Sequence, residues 1–159
     1  RDPGDQKKAA ALVYLAELLG GNGTTSVLAR AMQFDSQTAV YTAAGYDGTS
    51  LDDTTFSLVV VPLPGVTLEQ AEAKLDQVLA EFLKTGPDPA AFERVKTQIK
   101  AADIYSRDDA EGLANRYGEA LATSLTIKDV EDWPAVLAAV TPEDVKAAAA
   151  EVLDADNRA

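Results

Sequence analysis

A chain of 159 residues, 47% apolar and 25% charged, has the length and balance of one folded domain spanning 1–159. Its formal net charge of −12 argues against nucleic acid and anionic membrane surfaces, which need a basic face, while the same field would attract a basic peptide. With no histidine and no cysteine, a Ser-His-Asp triad, an HExxH zinc pair and thiolate chemistry are all excluded.

The first element is a helix over about 5–19, with Leu12, Leu15, Ala16 and Leu19 on one face. Lys7 and Lys8 oppose the helix dipole in its first turn, which predicts a loose end. Gly20-Gly21 reads as a C-cap at positive φ, Asn22-Gly23 as a turn, and Thr24 or Thr25 as the cap of a second helix ending near Met32. The stretch GGNGTTS lacks the lysine of a phosphate-binding loop, so it reads as a corner between helices. Asn22-Gly23-Thr24 also spells a glycosylation sequon, a pattern common by chance.

Alternation with period two then predicts strands over 38–46 and 54–61. In the second, Phe56, Leu58 and Val60 share one face and Val59 and Val61 the other, which predicts cover on both sides. Tyr41 and Tyr46 fall on opposite faces of the first where Gly45 leaves the alternation intact. The linker DGTSLDD starts a turn at Asp47-Gly48. It lacks both the mid-loop glycine and the final glutamate of a calcium loop.

Pro62, Pro64 and Gly65 end the second strand, and TLEQ from Thr67 forms a capping box. Leu68, Ala71, Leu75, Val78, Leu79 and Phe82 make the buried stripe of the next helix, stopped by Gly86-Pro87. Asp88-Pro89 starts another, marked by Phe92, Val95, Ile99 and Ala102. Its Arg94, Lys96 and Lys100 form a basic strip expected to be solvent-facing and salt-bridged. Leu113, Tyr117, Leu121 and Leu125 suggest one more helix, weakened by Gly112 and Gly118 unless close packing requires them. Thr126 caps a segment through Trp133, Pro134 opens a short turn, and Thr141-Pro142 begins the last helix. Trp133 reads as a packed staple.

The longest apolar runs, LVVVPLP and VLAAV, are far below the roughly 20 residues of a membrane span. Helices, two strands, then helices give an α+β class: a two-stranded antiparallel core of a larger sheet, covered by several helices. The adjacent acids Asp52-Asp53 and Asp108-Asp109 read as solvated turns. A carboxylate-based glycosidase would need two acids facing each other about 5–10 Å apart. A stand-alone protein-binding or assembly module is the other rival, and a complete sheet with a well-formed pocket would favour it.

Taken in order, ALVYLAELLGGNGTTSVLARAM, YDGTSLDDTTFSLVVVPLPGVTLEQAEAKLDQVLAEF, the GPDPAAFERVKTQIKAADIYSRDDAEGLANRYGEAL region and WPAVLAAVTPEDVKAAAAEVLDADNR cover almost the whole chain. This series resembles the M16 zinc metallopeptidases, the family of pitrilysin, insulin-degrading enzyme and the mitochondrial processing peptidase. The likeness is to the second, non-catalytic domain type and implies the LuxS/MPP-like metallohydrolase fold. Family members carry zinc on an HxxEH helix of the first domain, so the resemblance implies zinc in a partner domain or subunit and none here.

It also implies a catalytic M16 partner, a peptide substrate, and a supporting role in the wall of a clam-shell chamber. Active members place an arginine and a tyrosine on the substrate, seven positions apart after the helix that begins at Ser26. The corresponding positions are Gln33 and Val40, which depart from the pattern, with Tyr41 one residue later. These three are the substrate-contact candidates. Family domains also have a strand before the first helix and one after the last, so the resemblance implies truncation at both ends and an exposed sheet edge open to self-association. Both a periplasmic and a cytoplasmic location stay open.

Overall fold

The computed structural model describes residues 5–50, 54–106 and 108–154. Its elements run α1 (Gln6–Gly20), a π helix (Ala29–Asp35), β1 (Ala39–Tyr46), β2 (Phe56–Pro62), α2 (Leu68–Thr85), α3 (Pro89–Ser106), α4 (Ala110–Ala122), α5 (Ile127–Ala138) and α6 (Pro142–Val152). The two strands pair antiparallel, with Thr42 opposite Val60 and Tyr46 opposite Phe56. The α+β reading stands.

The centre of the molecule is α1. Nine of its fifteen residues are buried, four of them alanines or leucines in an unbroken run from Ala9 to Leu12. It packs on β1 and also against α3, α5 and α6. A helix apolar on most sides belongs inside a layered core, so the one-sided stripe seen in the sequence understates its burial. Tyr14 carries a polar group into this depth. Its hydroxyl donates to the Leu137 carbonyl at 3.0 Å, at the C-terminal end of α5, where that oxygen also accepts from the Val140 N–H at 3.3 Å. Its ring stacks on Phe92, centroids 5.3 Å apart.

The glycine corner works differently from its sequence reading. Gly21 caps α1 with φ −69°, in the right-handed region. Positive φ is therefore not the reason for these glycines. Gly20 is required by proximity, because a Cβ there would stand 2.0 Å from the Ala44 nitrogen and 2.4 Å from the Ala43 carbonyl carbon. The cap of the following turn is Asn22, whose Oδ1 accepts from the N–H groups of Thr24 and Thr25 at 2.9 and 3.0 Å. Neither threonine takes that role. The helix also outlasts Met32, since it widens into π geometry through Asp35. There the Ser36 N–H and hydroxyl both donate to the Ala31 carbonyl, at 3.2 and 2.7 Å.

Other expectations are corrected by tertiary contacts. Lys7 pairs with Asp144 at 2.7 Å and Lys8 with Glu151, so the start of α1 is tied to α6 rather than loose. The Lys7 ammonium, with the Thr141 cap, holds the Asp144 carboxyl below its usual range. Pro134 does not end α5 but lies inside it. Packing of α5 against α1, α3 and α4 outweighs the missing donor, at a local cost of about 3 kcal/mol. Leu68 and Leu121 face outward, 73% and 56% exposed, and Ala102 is exposed as well. The basic strip of α3 makes no ion pair with a described residue. Acids do stand within one turn, Glu93 three residues before Lys96 and Asp103 three after Lys100, but neither closes to ion-pair distance with them.

Capping follows the sequence closely. Thr67 with Gln70, Thr126 with Asp129 and Thr141 with Asp144 all form reciprocal boxes. Gly86 ends α2 at φ 77°. In α4, a Cβ at Gly112 would meet the Asp109 carboxylate that caps the helix, whereas one at Gly118 would meet nothing within 4 Å. Gly118→Ala should therefore stabilise the chain by about 0.5–1 kcal/mol. Urea unfolding checks this, and a destabilised variant would show that the position is not open.

Candidate functional site

Among the described residues, the strand side chains that pack against the helical core come from one face of the sheet. The covered face holds Thr42, Ala44, Leu58 and Val60, with Thr42 only 2% exposed. The opposite face carries Tyr41, Ala43 and Gly45 of β1 across from Val61, Val59 and Ser57 of β2. Tyr41, Val59 and Val61 are 53%, 45% and 43% exposed. Among the described residues the expectation of cover on both sides fails, because the core packs on the first face. An uncovered row of aromatic and β-branched side chains is the kind of surface that a second body occupies.

The three sequence candidates are divided by this geometry. Tyr41 stands on the open face, opposite Val61. Val40 is the extra residue of a β-bulge, between the Ala39–Pro62 and Tyr41–Val61 pairs, and is exposed. Gln33, on the π helix, is half-buried and donates from Nε2 to the Thr42 hydroxyl at 2.8 Å, on the covered side of β1. The bulge thus brings Val40 and Tyr41 out together, while Gln33 braces the strand from behind. The entry to β1 is also shaped locally: Gln37 has φ 50°, and Ser36 Oγ lies 2.9 Å from Thr38 Oγ1. A π helix and a bulge on either side of one short turn are features that recur beside functional sites. Neither leaves a signal in residue type alone, which is why the sequence did not show them. Phe34 and Leu63, both exposed next to these elements, were missed for the same reason.

Among the described residues, no three carboxylates converge to hold a metal ion. Asp47 is engaged by its own turn, accepting from the Thr49 N–H at 2.8 Å and its hydroxyl at 2.7 Å, which lowers its carboxyl affinity for protons. Asp52 and Asp53 lie outside the described residues. Asp109 caps α4, accepting from the Gly112 N–H at 3.0 Å. Trp133 packs against the core and lines a cavity of about 380 Å³ with Arg116, whose guanidinium donates to Ser106 Oγ at 2.7 Å. A second cavity, about 330 Å³, lies where α1 meets the glycine corner and α3. Tyr46 turns its ring to the covered side, as alternation requires.

A family model of the peptidase M16 inactive domain matches residues 2–99 of this chain, more than half its length. The chain belongs to that family.

Solved structures place the M16 fold over nearly all of the molecule. A candidate zinc protease from Bordetella pertussis Tohama I superposes with a TM-score of 0.85 at 18% identity, over 99% of this chain and 86% of that one. A protease from Helicobacter pylori gives 0.83 at 19% identity, over 93% of this chain and 35% of that one. A peptidase M16 inactive domain from Pseudomonas fluorescens gives 0.73 at 24% identity, over 96% and 35%. This M16 chain therefore spans about a third of the length of the Helicobacter and Pseudomonas proteins. No curated protein matches it. Among the described residues, no helix of the M16 chain is long and apolar enough to cross a membrane.

Proposed function

We propose that this M16 chain is the non-catalytic half of a zinc-dependent metallopeptidase and forms part of the chamber wall that encloses the peptide. The observation that carries the reading is the open apolar face of the sheet, Tyr41, Val59 and Val61, in a family whose description is an inactive domain. The face supplies what a chamber wall needs: apolar contact area on a rigid two-stranded support, with little charge to fix one sequence. Tyr41 and Val40 touch the peptide, and Gln33 sets the strand that presents them. Zinc and the water it activates belong to the catalytic M16 partner domain or subunit.

The test is reconstitution with an HxxEH-bearing M16 partner, followed by zinc-dependent cleavage of a peptide library. The chain alone should cleave nothing, and the pair should cleave faster than the partner alone. Tyr41→Ala should lower kcat/KM of the pair by about tenfold, the order of one good contact at 1.4 kcal/mol, while the fold is retained. Zinc-dependent cleavage by the chain alone would overturn the proposal, as would a partner whose rate is indifferent to this chain.

A further inference from the structure

The basic strip of α3 has no place in the chamber reading. Lys96 holds its Nζ 5.8 Å above the centre of the Phe92 ring, and Lys100 makes no ion pair with any described residue. Both line a groove of about 390 Å³ between α3 and α5. Its walls are apolar, with Ile99 and Ile104 from α3 facing Pro134, Ala135 and Ala138 from α5. The groove exists because α5 presents two alanines three residues apart, where larger side chains would close it. Ile104 stays 54% exposed beside it. The carboxylate in the lining, Asp103, lies 3.7 Å from the Arg116 guanidinium, so the two lysines outnumber the acids of the lining, with Glu93 one turn before Lys96. In a chain of net charge −12, a cationic rim on an apolar trough is a local reversal of sign.

That combination is complementary to one chemistry, an apolar tail that ends in an anion. The volume falls at the small-molecule end of the range for ligand sites, about 300–1,000 Å³. We propose that the α3–α5 groove binds a medium-chain carboxylate, with its alkyl tail along Ile99, Ile104, Ala135 and Ala138 and its head between Lys96 and Lys100. The tail supplies most of the affinity through burial, and the lysines set the polarity and direction.

Decanoate, titrated into the chain below its micellar concentration and followed by NMR, tests the site. Resonances of Ile104, Ala135 and Ala138 should shift together, and affinity should rise about two- to fourfold per methylene from hexanoate to decanoate. Lys100→Glu, on the surface, should weaken binding about tenfold. Ala138→Leu should remove it by filling the trough. Val61→Asp, on the open sheet face, should leave it unchanged, which keeps this test separate from that of the chamber. Equal binding of decyltrimethylammonium, loss of binding in Val61→Asp, or no saturable shift at millimolar decanoate would each overturn the assignment. So would a dimer in sedimentation that Ala138→Leu dissolves, since the groove would then belong to a second copy.

Discussion

Gly20→Ala should destabilise the chain by about 3 kcal/mol, a large effect for one methyl group. The added Cβ would stand 2.0 Å from the Ala44 nitrogen and 2.4 Å from the Ala43 carbonyl carbon, well inside contact distance. Those are backbone atoms of β1, held by pairing to β2, so no side chain can swing aside. Relief requires α1 to move off the sheet, and Leu15 and Leu19, both fully buried, would then lose contacts together. Better helix propensity in alanine offsets about 1 kcal/mol at most. Denaturant unfolding gives the result directly. A loss below about 1 kcal/mol with an unchanged m-value would mean that α1 does not approach β1 so closely.

Tyr14→Ala should cost about 4 kcal/mol and Tyr14→Phe about 1–2 kcal/mol. The first change removes the ring stacked on Phe92 and leaves a cavity among α1, α3 and α5. The second removes only the hydroxyl and leaves the Leu137 carbonyl without that donor. A large gap between the two variants assigns the site to packing, and near equality would assign it to the hydrogen bond. Burial also raises the Tyr14 phenol above its ordinary value of 10.0, with Glu93 adding to the shift. A group raised in the folded state contributes full stability below its unfolded pKa and loses it as pH climbs through the folded value. Stability should therefore fall above pH 10 in the native sequence. Tyr14→Phe should remove that part of the decline.

Local chemistry explains which elements could be read in advance. Thr67, Thr126 and Thr141 announce helix starts because a hydroxyl three residues before an acceptor side chain forms its box without help from the rest of the molecule. The strands were legible for a similar reason, since Leu58 and Val60 alternate with Val59 and Val61 at the period of a pleat. The candidate site was only partly legible. Tyr41 and Val40 were singled out by their resemblance to family positions, but their common exposure depends on a bulge, and no residue type marks a bulge. Gln33 was placed in the same group, yet its amide is directed to Thr42 by the wide turn of a π helix.

By itself the sequence determined the α+β class, the capped ends of α2, α5 and α6, and a chemistry without imidazole or thiolate, because each of these depends on residues close in the chain or on composition alone. Tertiary structure decided that Gly20 serves proximity rather than a turn, that Pro134 sits within a helix, and that one face of the sheet is left open by the described residues. Those outcomes rest on which element packs against which, across separations that no local pattern encodes.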